Sequence, residues 1–249
     1  NDLIRQSRKD LSNRFGNVWN RLCQETQNSL VSGMTLWKAY KNIDDPNFDF
    51  SGICILATSA LENELRKIFF EEFQEFVKNQ TGGKINRYPS IFTYRKGTEL
   101  VAGKSEYFAL GKMPFLFGQT GKDPSSEDLS DIKRLNDFRE KYLESIIDSQ
   151  KMIDSGFASF SECFTKPFFS KNSELKKEKN FHVYYKGSLI SEFEDIRNKY
   201  RNKSAHQGGL RRDEAHDCCN LVFGSSIMGD NDLEKVLGLI QKVYYLLKQ

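Results

Sequence analysis

Apolar residues recur at helical spacing along most of this chain. Over residues 50–79, Leu61, Leu65, Ile68, Phe69, Phe73, Phe76 and Val77 follow the i, i+4, i+7, i+8 pattern, while Glu62, Glu64, Arg66, Lys67, Glu71, Glu72 and Glu75 occupy the other face. This predicts a long amphipathic helix, ended by Thr81-Gly82-Gly83. Upstream, Leu3, Leu11, Phe15, Val18, Trp19 and Leu22 predict a helix over 2–30, within an N-terminal segment 1–45 that closes in the turn Asp44-Asp45-Pro46-Asn47. Ser125-Ser126-Glu127-Asp128 has the composition of a helix start, and Leu129, Ile132, Leu135, Phe138, Tyr142, Leu143, Ile146 and Ile147 carry that helix to about Asp154.

The last third, 187–249, predicts three helices in quick succession. Leu189, Ile190, Phe193, Ile196 and Tyr200 mark the first. Ala215, Cys218, Cys219 and Val222 mark the second, closed by Gly224. Leu233, Val236, Leu237, Ile240, Val243, Tyr244 and Leu247 mark the third, started by Asp230 to Asp232. Short links favour antiparallel neighbours, so the fold class expected is all-α, a single antiparallel helical bundle spanning 1–249.

Residues 80–127 break this pattern. Gly, Pro, Lys and aromatic residues mix without a helical period. Ile91-Phe92-Thr93-Tyr94 and Glu99-Leu100-Val101 suit short strands around Arg95-Lys96-Gly97, which predicts an insertion made of a β-hairpin and loops. Arg95 and Lys96 stand among Tyr88, Phe92, Tyr94 and Tyr107, an interleaving that suits single-stranded nucleic acid through charge and stacking. A solvated hairpin with its rings packed inward is the simpler account.

Composition narrows the function classes. The 249 residues are 38% hydrophobic and 29% charged, with a net charge of +3, so any surface that captures nucleic acid must be local. Five scattered cysteines with no CxxC argue against a disulfide framework or a zinc site and suit reduced thiols in the cytoplasm. No run of about 18 apolar residues occurs, so no membrane helix is expected. Walker A, GxGxxG, HExxH and GxSxG are all missing from the sequence, and no cofactor or metal is expected. The chain opens Asn-Asp-Leu, which suggests a piece of a longer protein with further domains.

The most informative chemistry lies in Arg201-Asn202-Lys203-Ser204-Ala205-His206, ahead of Gly208-Gly209. Arg grips phosphate with two hydrogen bonds, and His exchanges a proton near neutral pH. In a continuous helix Asn202 and His206 share a face, while residues five apart sit roughly 140° apart, leaving Arg201 flanking that face. Three other readings stand beside a catalytic one: cations placed on a helix C-terminal dipole, binding of RNA or a nucleotide without cutting, and, for His216 on the next helix, a surface or boundary histidine. Only three histidines occur, and His182 sits among aromatic neighbours that suit packing.

Arg-Asn-x-x-x-His, with Ala before the His and Gly shortly after, resembles the signature of the HEPN superfamily. Ala60-Leu61-Glu62 in the early helix is similar to the Ala-Leu-Glu that the family often carries there. The resemblance covers residues 50–79 and 187–249. It implies a HEPN-like bundle and a metal-independent endoribonuclease, in which two protomers pair and line one composite cleft with their Arg–His segments. The 2′-hydroxyl of single-stranded RNA attacks the adjacent phosphorus and leaves a 2′,3′-cyclic phosphate. Carried onto this chain, His206 assists proton transfer, Arg201 stabilises phosphoryl charge, and Asn202 orients the His or the phosphate. Glu62 and His216 are possible supports, and Arg197, Lys203, Arg95 and Lys96 are candidate RNA contacts. Such a domain can be an effector or toxin module of a defence or stress protein. The family also includes binding and dimerisation modules that cut nothing, and this alternative stays open.

Overall fold

A computed structural model describes residues 2–82, 93–94, 98–99, 128–155, 189–206, 209–224 and 237–248, with the backbone alone at 93–94, 98–99, 128–136, 190–191 and 206. The described chain is all-α apart from one short strand pair. Its helices are α1 (Asp2–Phe15), α2 (Gln24–Tyr40), α3 (Ser51–Arg66), α4 (Glu72–Gln80), α5 (Asp128–Ile146), α6 (Ser149–Asp154), α7 (Leu189–Ile196), α8 (Asn202–His206), α9 (Arg212–Phe223) and α10 (Leu239–Leu246). Strands β1 (Thr93–Tyr94) and β2 (Thr98–Glu99) pair antiparallel, Thr93 opposite Glu99. Two compact units result: Asn1–Ile68 with Glu194–Tyr245, and Phe69–Phe193 with Leu246–Gln249. Among the described residues, no helix is long and apolar enough to cross a membrane.

In the first unit, α2 packs along α3, and α1 and α9 pack on that pair. The apolar stripes turn inward: Leu11, Leu30, Met34, Ala57, Leu61, Leu65, Cys218 and Val222 are fully buried. Gly33 lets α2 approach closely, because an added Cβ there would lie 3.5 Å from Leu56 Cβ and 3.6 Å from Phe223 Cζ. The helix expected over 2–30 is corrected to two. Gly16 adopts φ +54°, where a side chain is strained, and a 3₁₀ turn over Gly16–Arg21 leads to Cys23, whose extended backbone starts α2.

A buried carboxylate pins this junction. Glu64, 1% exposed, accepts from Cys23 N at 2.7 Å and from Tyr244 Oη at 2.6 Å, tying the start of α2 and the end of α10 to α3. Burial and the carboxylate charge beside it push the Tyr244 hydroxyl well above its ordinary range, burial being the larger cause.

The turn before α3 is fastened to the segment after α8. Asp49 Oδ1 accepts from Ser51 N at 2.8 Å and Leu210 N at 3.1 Å, Ser51 Oγ accepts from Leu210 N at 3.0 Å, and Phe50 N donates to Leu210 O at 2.9 Å.

The helix expected over 50–79 is present, with one feature the periodicity did not carry: Lys67–Glu71 form a π turn between α3 and α4. In the second unit, Phe73 and Phe76 of α4 set their rings 5.5 and 5.4 Å from that of Tyr142 on α5. The helix expected to run to Asp154 is broken. Asp148 takes an extended ψ of 109° and caps α6, accepting from Gln150 N at 3.1 Å and Lys151 N at 3.3 Å. Its own N–H donates to Leu246 O at 2.8 Å, a bond that a continuous helix would have spent within itself. Leu237 pairs as a bridge with Gly224 and α10 begins at Leu239, while the helix start expected at Asp230 to Asp232 lies outside the described residues.

Candidate functional site

The Arg–His segment is built by a helix that changes pitch just before it. Leu189, Phe193 and Ile196 seat α7 with at most 3% exposure. The next five residues, Arg197–Arg201, form a π turn closed by Asn202 N–H donating to Arg197 O. A π turn inserts one residue into the helical register, so the side chains after it are rotated from where a regular helix would put them, and such insertions are frequent at functional sites. Arg201 ends the π turn, and α8 carries Asn202 to His206.

Arg201 meets α3. Its Nε lies 3.6 Å from Glu62 Oε1, with the two side chains 35% and 16% exposed. The local reason is visible in Ala60-Leu61-Glu62: Ala60 and Leu61 are fully buried in the α3 stripe, which leaves Glu62 at its boundary, facing the π turn and α8 packed alongside. At 3.6 Å the contact is an ion pair rather than a hydrogen bond. It holds an arginine next to a carboxylate at a partly solvated surface, where the fork can still turn to a phosphate oxygen.

The neighbouring cations carry carboxylates too. Arg197 donates to Glu194 Oε2 at 2.5 Å, and Lys203 pairs with Glu214. Burial holds the Glu194 carboxyl above its usual range, against the pull of Arg197. The Lys203 ammonium, first among several partners, holds the Glu214 carboxyl below its usual range. Glu214 also accepts from Arg211 N at 3.0 Å, satisfying the N–H that precedes the first turn of α9. Both sequence-predicted RNA contacts that are described, Arg197 and Lys203, therefore sit in ion pairs.

Behind them, Ser204 Oγ donates to Tyr200 O at 2.6 Å. Burial, helped by the acidic groups of Asp217, Cys218, Cys54 and Glu214, pushes the Tyr200 hydroxyl up to about 12, so it is a donor and not a base at neutral pH.

No family model, curated protein or solved structure matches the chain.

Asn202 is half-buried at the head of α8. His206 closes that helix; its side chain lies outside the described residues, as do Arg95, Lys96 and His182. His216 is half-buried on α9, its ring centroid 5.4 Å from that of Trp37 at 34°, with Asn220 Nδ2 3.4 Å from both ring nitrogens. This is a packing environment between α2 and α9. Among the described residues, no group of three His, Cys, Asp or Glu side chains could hold a metal ion.

Sequence reasoning did not find the carboxylate partners Glu194 and Glu214 or the π turn. Glu194 stands three residues before Arg197, a spacing that signals an ion pair on a helix. Lys203 and Glu214 belong to different helices and have no such local signal.

Proposed function

We propose that this protein is a HEPN-like helical domain, with 80–127 as a hairpin-bearing insertion, that cuts single-stranded RNA without a metal. The observation that carries this is the Arg201-Asn202-x-x-x-His206 hexamer on a helix that meets Glu62 of Ala60-Leu61-Glu62, with Arg201 3.6 Å from that carboxylate. In this mechanism the 2′-hydroxyl attacks the adjacent phosphorus and the 5′-oxygen leaves, giving a 2′,3′-cyclic phosphate and a 5′-hydroxyl. His206 moves the proton at one of those oxygens. Arg201 stabilises charge on the non-bridging oxygens, oriented by Glu62, and Asn202 orients the imidazole or the phosphate. Two copies of the chain pair so that two hexamers line one cleft, and Arg197, Lys203, Arg95 and Lys96 contact the RNA backbone. The domain acts in the cytoplasm as an effector or toxin module of a larger defence or stress protein.

The test is incubation of purified protein with single-stranded RNA in EDTA, with end-group analysis of the products. Cleavage to 2′,3′-cyclic phosphate ends, lost in Arg201→Ala and His206→Ala, supports the proposal. No cleavage, or cleavage unchanged in both variants, removes it.

One observation favours a second reading, an RNA-binding or interaction module that does not cut. Arg197, Arg201 and Lys203 each already have a carboxylate partner, an arrangement that suits a structural helix end. RNA affinity retained without cleavage distinguishes it.

A further inference from the structure

We propose that the pocket between the turn before α3 and the start of α9 binds a guanine base. No group in this pocket is needed to cut RNA, so the site goes beyond the ribonuclease reading above.

The pocket holds about 260 Å³, with Ile43, Asp44, Phe48 and Phe50 on one side and Arg211 and Arg212 on the other. That is small for a ligand site and suits a single base or nucleoside. Its two walls are fastened together. Phe50 N donates to Leu210 O at 2.9 Å, and Leu210 N donates to Asp49 Oδ1 at 3.1 Å and Ser51 Oγ at 3.0 Å. Arg212 Nη1 reaches across to Lys41 O at 3.4 Å. The walls are therefore set before a ligand arrives, which lowers the cost of binding.

Phe48 supplies a stacking surface. It is half-buried, with its ring 4.8 Å from that of Phe50 and 5.3 Å from that of Tyr40. Asp45 holds the turn that presents it, accepting from Phe48 N at 3.0 Å through its carbonyl and from Asn47 N at 2.9 Å through its side chain. A ring fixed in this way stacks any base.

Asp44 and Arg212, both exposed, supply selectivity. Among the described residues neither has an oppositely charged partner, and they do not pair with each other. Arg211, by contrast, has Asp213 at 3.2 Å and Glu214 at 3.8 Å. The pocket thus keeps an open carboxylate and an open guanidinium beside a flat apolar wall. A lining of both signs suits a neutral ligand with donor and acceptor edges. Guanine carries the acceptors O6 and N7 side by side, which an arginine fork takes as a bidentate pair. It also carries the donors N1–H and N2–H side by side, which the two oxygens of a carboxylate accept. No other RNA base presents both pairs. Arg212 takes the acceptor edge and Asp44 the donor edge.

The first turn of α9 joins this pocket to the hexamer. Glu214 accepts from Arg211 N at 3.0 Å and pairs with Lys203 of α8. A strand held by its guanine is therefore delivered beside α8.

The experiment measures Kd of the full chain for uridine oligonucleotides carrying a single guanosine or inosine, and for guanosine and inosine monophosphates. The oligonucleotides are 2′-O-methylated, so their own 2′-oxygens cannot cut them, and inosine lacks only the 2-amino group. Wild type is expected to prefer guanosine over inosine by about 10-fold. Asp44→Asn is expected to bring that ratio to about 1, and Arg212→Lys to weaken both ligands by about 10-fold. Both side chains are exposed, so the variants keep the packed core, and thermal melts check this. A preference in the oligonucleotides assigns the base to an RNA strand, and one confined to the monophosphates assigns a free nucleotide. No preference in either set, a preference unchanged in Asp44→Asn, or affinities unchanged in Arg212→Lys overturns the guanine pocket. If the wild-type chain cuts no RNA, the ribonuclease proposal fails on its own, and these binding ratios still decide the pocket.

Discussion

Arg201 Nε stands 3.6 Å from Glu62 Oε1, linking the end of the second π turn to the C-terminal part of α3. With Arg201 35% exposed, the pair contributes under about 1 kcal/mol to stability. Its value lies in orientation. Glu62→Gln is expected to leave the melting temperature nearly unchanged while lowering kcat/KM for RNA cleavage by about 10-fold, as the guanidinium loses its fixed neighbour. Steady-state kinetics beside thermal melts check this; wild-type activity in Glu62→Gln would take Glu62 out of the site.

Lys203 contacts Glu214 from the next helix, so its charge is already offset. A lysine that contacts phosphate alone lowers the salt slope of RNA binding by about 1 when removed. Lys203→Ala is expected to lower it by less, and Glu214→Gln to tighten binding and steepen the slope. Measuring log Kd against log salt for both variants tests this. Equal slopes for wild type and Glu214→Gln would mean that Lys203 does not touch RNA.

Glu64 is a buried carboxylate of the first unit, taking the Cys23 N–H on one oxygen and the Tyr244 hydroxyl on the other. Glu64→Ala leaves the Cys23 N–H without its acceptor and the Tyr244 hydroxyl with only the Arg21 carbonyl at 3.1 Å, and an expected loss of about 2–4 kcal/mol follows. Glu64→Gln keeps the shape and one acceptor oxygen, and should lose less. Urea unfolding gives both values.

Acid sensitivity follows from the lowered carboxyls. Asp49 and Glu214 fall below their ordinary values of 3.8 and 4.5, through hydrogen bonds made to the charged form. The unfolded chain thus binds protons first as pH falls. The stability these groups contribute is present above the ordinary values and is lost as pH drops through the lowered folded ones. Asp49→Asn combined with Glu214→Gln should flatten the fall of the urea midpoint below about pH 4.5. An unchanged acid profile would assign the sensitivity to other groups.

Gly238 has no room for a side chain. An added Cβ would press on the Val222 carbonyl oxygen and come within 2.5 Å of Gly224 N. Backbone atoms at the end of α9 cannot yield as a flexible side chain can, so Gly238→Ala is expected to cost about 3 kcal/mol or more. Chemical denaturation checks it; a near-neutral result would show that this junction rearranges easily.

The amino-acid order by itself determined where helices form and which face they bury. Leu61, Leu65, Phe73 and Val77 recur at the helical period and are all at most 2% exposed, because burial selects one face of a regular helix and leaves that face written in sequence. The hexamer was likewise legible as chemistry, since Arg and His declare their capacities alone. Helix breaks were legible only in part. Gly16 breaks α1 with a positive φ inside a stretch whose apolar pattern runs on, and Asp148 breaks its helix with a cap competing against a strong apolar pattern. The two π turns left no mark in the pattern, because one inserted residue shifts the register without changing residue type. The pairings of Arg201 with Glu62, Lys203 with Glu214 and Asp49 with Leu210 were decided by tertiary structure alone. Each depends on distances between separate elements, and those distances are set by how the helices pack, not by the order of residues along any one of them.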